Sequence, residues 1–240
     1  MLSITNSMAL QGLDGVLVRI EIDISNGLPS WDIIGLPDTS VKESKERVRT
    51  AIKNYGVDLL SRKYVINLSP ADIKKVGSTY DWAIAVGVLY SINEINENAK
   101  LDSTIFIGEL ALDGNVKPVN GVLPMCIEAL KFGMKRAIVP KENAKEASCV
   151  DGLEILGVSN LKDVIDYLNG KLQLSPERFG DFDLIKNEQI YPIDFDEVKG
   201  QKGAKRALEI AVAGNHNILM IGSPGSRKNY DGKKNRYDFT

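Results

Sequence analysis

Between Val16 and Asn169 the apolar residues change period repeatedly, from two to about 3.6 and back, and this alternation restricts the chain to a layered α/β fold. Val16, Val18, Ile20, Ile22 and Ile24 alternate with Leu17, Arg19, Glu21, Asp23 and Ser25, the pattern of a strand with one wet face. Asn26-Gly27 and Pro29 turn the chain into a second run over 31–36. Ser40-Val41-Lys42-Glu43 has capping-box spacing, and Val41, Val48, Ile52 and Tyr55 form a helical stripe stopped at Gly56. Residues 64–68 are predicted as a strand and 81–90 as an apolar helix. The same alternation then recurs: a strand over 104–110, a hairpin turn at Asp113-Gly114 toward Val116, a helix over 122–132 and a strand over 136–139. A short helix over 141–148, a strand over 153–158 and a closing helix over 161–169 follow. Helices interleaved with strands, plus early antiparallel pairing, predict a mixed sheet.

Residues 171–195 lack periodicity and carry Pro176, Gly180 and Pro192 among many charges, so they are expected to be a linker. A helix over 201–213 follows, with Ala204, Ala207, Leu208 and Ala211 on one face. The expected organisation is an α/β domain over 1–170, a linker over 171–195, a second module begun over 196–229, and an aberrant polar tail over 230–240.

Residues 217–222, Asn-Ile-Leu-Met-Ile-Gly, read as a short buried strand that runs into Gly222-Ser223-Pro224-Gly225-Ser226-Arg227-Lys228-Asn229. A phosphate-binding loop needs G-x-x-x-x-G-K-[ST] between a strand and a helix. Gly222 and Lys228 fit. Arg227 stands at the second glycine, where its Cβ obstructs close approach of backbone N–H groups to phosphate. Asn229 replaces the hydroxyl that ligates magnesium with a neutral amide. The tail that follows shows no apolar stripe, contains Gly232, and offers no acidic strand for magnesium. The chain is therefore expected to be truncated and unable to hydrolyse nucleotide.

With 43% hydrophobic and 26% charged residues the chain is ordinary for a globular protein, and a net charge of −2 gives no global pull toward nucleic acid. No stretch approaches the length of a membrane span, and the N-terminus has no secretory pattern. Cys126 and Cys149 lie far apart and are expected to be buried or half-buried thiols; with His216 alone, neither a zinc site nor a Ser–His–Asp triad is available. These features suggest a reducing cytoplasm. Lys42, Lys45, Arg47, Arg49 and Lys53 make a basic helix face that could meet phosphates, but Glu43 and Glu46 interleave and favour a solvated face. Asp81 is expected to complement its helix dipole.

Ile34-Gly35-Leu36-Pro37-Asp38, Asn67-Leu68-Ser69-Pro70-Ala71 and Lys75-Val76-Gly77-Ser78-Thr79-Tyr80-Asp81 resemble segments of the magnesium-chelatase-like ComM/YifB family, as do Val198-Lys199-Gly200-Gln201, the helix after it, and 216–222. The resemblance runs in order over nearly the whole chain and stops at Arg227. It implies a Lon-protease-like (ribosomal S5 domain 2-like) domain followed by the first helix and strand of an incomplete AAA+ ATPase module. It also implies ATP with magnesium as cofactors, a ring assembly, and an ATP-driven motor that migrates branched DNA during natural transformation. By resemblance, Val198, Gly200 and Gln201 would lie near the adenine, and Gly222, Ser223, Pro224, Gly225, Ser226 and Lys228 would hold the phosphates. A stand-alone binding or assembly module is an alternative. A Lon-like Ser–Lys peptidase is another, with Thr79 opposite the nucleophile position; the lysine would fall within Val119-Asn120-Gly121-Val122-Leu123-Pro124-Met125, which has none. Ser78 is then expected to be a turn or cap residue.

Overall fold

The computed structural model describes residues 2–12, 14–178, 200–214 and 216–221. The chain divides into two compact units, Met1–Gly180 and Asp181–Thr240.

The first unit is built on a seven-stranded sheet. Its strands in chain order are β1 (Leu2–Gln11), β2 (Asp14–Ser25), β3 (Ser30–Ile34), β4 (Lys63–Ser69), β5 (Thr104–Phe106), β8 (Arg136–Pro140) and β9 (Glu154–Val158). The spatial order is β3-β4-β2-β1-β5-β8-β9, with β6 (Glu109–Leu110) and β7 (Val116–Lys117) forming a separate hairpin. β2 runs antiparallel to both neighbours; every other pair in the large sheet is parallel. The sheet is mixed, as the period changes imply. The run expected over 104–110 is two strands, parted at Ile107-Gly108, because β5 belongs to the large sheet and β6 to the hairpin.

Helices cover both faces. α1 (Thr39–Tyr55), α2 (Asp81–Ser91) and α5 (Leu161–Leu168) share a core with Val18, Ile20, Ile22, Tyr64, Ile66 and Leu68. α3 (Val122–Lys131) and α4 (Lys141–Ala147) enclose a second core with Met8, Ile105, Ile107, Val139 and Ile155. Helix α1 begins two residues before the expected capping box: Asp38 is its cap, the carboxylate accepting from the Val41 N–H at 2.8 Å. An aspartate three residues before an orphan N–H serves as well as the serine. The helix ends at Gly56 with φ 101°, a left-handed turn that glycine adopts at no steric cost.

The central strand β1 has no apolar alternation to announce it, since Ser3, Thr5, Asn6 and Ser7 are all buried. Two of its hydroxyls find partners on α2: Ser3 donates to the Gly87 carbonyl and Thr5 to the Ala83 carbonyl, each at 2.8 Å, while the buried Ser7 hydroxyl has no partner among the described residues. Helix α2 is buried from Asp81 to Leu89 and presses on the sheet at Gly87, where a Cβ would stand 2.6 Å from Ile22 Cδ1. Buried hydroxyls that donate to helix carbonyls avoid the desolvation penalty, which lets Ser3 and Thr5 sit in the middle of the sheet; Asn6 donates to the Leu101 and Asp102 carbonyls.

Residues 171–178, part of the expected linker, stay with the first unit. Leu174 packs against the α1/α2 core and the Glu177 N–H donates to the Ile155 carbonyl of β9 at 2.9 Å.

In the second unit, α6 (Lys202–Ala213) forms as expected, with Leu208 and Ala211 buried. The strand expected over 217–222 does not form in its described part. Residues 216–221 are irregular, with Leu219 83% and Ile221 89% exposed. A strand is stabilised by its ladder partners, and this unit has no other strand among the described residues.

Candidate functional site

At one end of the sheet the loop after β3 and the loop joining β4 to α2 converge, bringing the three motif segments of the first unit together. Gly35 sits against β4 so closely that a Cβ would lie 2.1 Å from the Leu68 carbonyl oxygen. The Lys75 N–H donates to the Leu36 carbonyl at 3.1 Å, and the Asp38 N–H returns to the Lys75 carbonyl at 3.0 Å. Asp38 also accepts from the Gly77 N–H at 3.3 Å, so one carboxylate caps α1 and ties down the loop before α2. Leu36 is held at φ 56°, a left-handed conformation costly for a leucine, and its side chain is exposed beside those of Ile34 and Val76.

Lys75, at the middle of this junction, is fully buried, and its ammonium donates to the Pro70 carbonyl. Burial pushes its pKa down, opposed by the charge of Asp72.

Behind the loops lies a buried ion pair. Asp81 opens a helix with no exposed side chain through Leu89, so its charge cannot reach water and must find donors within the protein. They come from α1 and β6: Arg47 Nε at 2.7 Å and the Leu110 N–H at 3.3 Å donate to Oδ2, while Arg47 NH2 at 3.1 Å and the Ser44 hydroxyl donate to Oδ1. Burial pushes the Asp81 carboxyl above its usual range; the hydrogen bonds from Arg47 and Ser44 oppose it. The hydrogen bond to Asp81 in turn raises Arg47. Asp81 thus does more than complement a helix dipole, and Arg47 leaves the basic face assigned to it to join α1, α2 and the β6 hairpin. The signal was present in the sequence: an aspartate at the head of a wholly apolar helix needs a cation.

Ser78 does not cap α2, whose first turn receives no side-chain bond. Its hydroxyl donates instead to the Glu109 carboxylate, while its carbonyl accepts the Asp81 N–H at 3.2 Å in a turn. The Thr79 carbonyl accepts from the Gly108 N–H at 3.1 Å. The segment that would supply a peptidase lysine is taken up by structure: Asn143 brackets Val119 through its N–H and its carbonyl, both at 3.0 Å, and α3 begins at Val122. Among the described residues the serine faces a carboxylate and no lysine, and an accepting carboxylate holds the hydroxyl without the proton relay a Ser–Lys dyad provides.

Of the nucleotide-site residues, Gly200 and Gln201 are described. Both have positive φ (78° and 54°) and stand exposed immediately before α6, Gln201 being its cap position without a side-chain bond. Val198, Gly222, Ser223, Pro224, Gly225, Ser226 and Lys228, like Arg227 and Asn229, lie outside the described residues. The expected thiols divide: Cys126 is buried and Cys149 is exposed, one residue after the short helix α4 and its C-cap have ended.

The fold and this junction define a mixed-sheet α/β unit whose motif loops are tied together by backbone bonds and a buried ion pair. A family model described as subunit ChlI of magnesium chelatase matches residues 20–143, just over half of the chain, and a second, described as magnesium chelatase subunit ChlI, matches residues 194–233. The chain is 40% identical over 227 residues to the YifB protein of Escherichia coli (strain K12), covering 95% of this chain and 44% of that one. It is 37% identical over 234 residues to competence protein ComM of Haemophilus influenzae, with the same coverages. Similarity to Lon protease 2 of Bacillus subtilis is 30% over 182 residues, covering 68% of this chain and 32% of that protein. The chain belongs to the magnesium-chelatase-like ComM/YifB family. It spans less than half the length of the curated relatives it matches. Among the described residues, no helix is long and apolar enough to cross a membrane.

Proposed function

We propose that the first unit is a non-catalytic, Lon-like accessory domain of a nucleotide-linked assembly that acts on DNA, serving assembly or DNA contact rather than peptide hydrolysis. The observation that carries this reading is the Ser78–Glu109 pair beside the Arg47–Asp81 clamp: next to Thr79, the position opposite a Lon-like peptidase's nucleophile, this chain has a hydroxyl tied to a carboxylate and a packed helix junction. The link to DNA rests on the family and on the competence protein among its relatives. We take the Lon-like domain over 1–170, the linker from 171, and the start of the ATPase module over 196–229; the packing of Leu174 and Glu177 favours extending the first domain to 178.

The donor set of the second unit does not fit Mg-ATP hydrolysis. Arg227 takes the place of a glycine whose bare backbone approaches phosphate, and Asn229 that of a magnesium-ligating hydroxyl. Lys228 and the Arg227 charge retain an attraction for anions. This chain accordingly binds ATP weakly or not at all and turns none over. Titration calorimetry with Mg-ATP and a phosphate-release assay test this: micromolar affinity with steady turnover would sink it. For the first unit, unfolded casein incubated with the pure chain stays intact; cleavage abolished by Ser78→Ala would overturn the accessory reading.

A further inference from the structure

The two edges of the large sheet are treated differently. At β9 the chain itself returns, the Glu177 N–H bonding to Ile155. At β3 the outer side carries no strand among the described residues, which leaves alternate backbone N–H and C=O groups of Ser30–Ile34 without ladder partners. A cleft of about 530 Å³ runs along this edge, lined by Trp31, Ile34, Lys42, Lys45, Lys63 and Val65 among others. A second, of about 260 Å³, continues past Trp31 between α1 and residues 59–62 and adds Arg49 and Arg62. The two clefts hold five cations against the carboxylates of Asp32 and Glu46, in a chain whose net charge is −2. None of the five forms an ion pair among the described residues, whereas Arg47 of the same helix is fully engaged with Asp81.

We infer that the β3 edge is a docking site for an extended acidic peptide segment of a partner protein, added as an eighth strand. Strand addition satisfies the open backbone groups and sends alternate side chains to opposite faces, so a segment alternating acidic and apolar residues meets Lys42 and Lys45 on the α1 face with its carboxylates and lies against Ile34 and Val65 on the other face with the rest. Two other occupants fit less well. Pairing of two β3 edges would press the same cations together. A single-stranded nucleic acid matches the charge but not the row of backbone groups, and one face of Trp31 is already stacked on Tyr64, with centroids 4.5 Å apart.

The test uses the full chain and three fluorescent probes: an eight-residue alternating Glu–Val peptide, its Lys–Val counterpart, and a twelve-nucleotide oligothymidylate. The Glu–Val peptide is expected to bind at least about tenfold more tightly than the Lys–Val peptide, to weaken with salt, and to slow amide exchange at residues 30–34. Lys42→Glu with Lys45→Glu should abolish that preference, and Lys45→Glu alone should reduce it if the double variant fails to fold. Equal binding of both peptides, binding indifferent to the charge reversals, or displacement of the Glu–Val peptide by the oligothymidylate at lower concentration overturns the proposal. Concentration-dependent dimerisation that protects residues 30–34 without any peptide overturns it in favour of a second copy.

Discussion

Helices α2 and α6 both carry a glycine and apolar residues, α2 on every side and α6 along one face, yet they live in opposite circumstances. Around α2 every side chain from Asp81 to Leu89 is buried, its carbonyls accept hydroxyls from β1, and its one charged residue has donors on two other elements. Helix α6 buries Leu208 and Ala211 only, and the apolar residues that follow it, Leu219 and Ile221, stay exposed. The lesson concerns partners rather than propensity. A pattern of apolar residues becomes a packed element only when another layer is present to accept it.

The largest test of this contrast is Arg47→Ala. It strands the Asp81 carboxylate in the α2 core, and breaking a buried pair from one side costs about 3–5 kcal/mol. Urea unfolding should register that loss, with Arg47→Ala/Asp81→Asn recovering part of it. A cost below about 1 kcal/mol would mean that Asp81 is not held as an ion.

A second test is pH. Burial pushes the Cys126 thiol and the Tyr80 hydroxyl up to about 12 in each case. The unfolded chain ionises these groups near their ordinary values, about 8.5 and 10, while the folded chain keeps its protons, so above pH 8.5 the unfolded state binds fewer protons and stability falls as pH rises. Cys126 alone should remove about 2 kcal/mol between pH 7 and 10. Cys126→Ala should flatten that slope. At pH 8 a thiol reagent should label exposed Cys149 and leave Cys126 untouched until unfolding.

The glycines sharpen the comparison further. Gly87→Ala puts a Cβ 2.6 Å from Ile22 Cδ1 and 3.3 Å from Thr5 Oγ1, and should destabilise the first unit by about 1–3 kcal/mol. Gly203→Ala meets nothing within 4 Å and should raise the helicity of α6 by up to about 1 kcal/mol in helix free energy. The same substitution having the same sign at both sites, by circular dichroism melts, would show that the packing contrast is wrong.

The smallest effect distinguishes two ends for the first unit. A fragment of residues 1–178 should melt within a degree or two of the full chain, while 1–169 loses the Leu174 packing and the Glu177–Ile155 bond, worth about 1 kcal/mol. Equal melting of the two fragments would return 171–178 to the linker.

Read without coordinates, the chain discloses most of what is periodic. β2, α1, α2, β4, β8 and α5 follow from apolar spacing with Gly56 and Asp113-Gly114 as punctuation, and the family is legible in segments such as Ile34-Gly35-Leu36-Pro37-Asp38. These are local or near-local properties, written in spacing and backbone freedom. What only the tertiary structure decided is pairing. It made a central strand of the polar run Ser3–Ser7 by setting Ser3 and Thr5 under α2 carbonyls, turned Arg47 inward, gave the Ser78 hydroxyl to Glu109, and left Ile218, Leu219 and Ile221 without a ladder. The physical reason is common to all of them: a hydrogen bond or an ion pair depends on a second group, and in each case that group is far away in the chain or missing from the described fold.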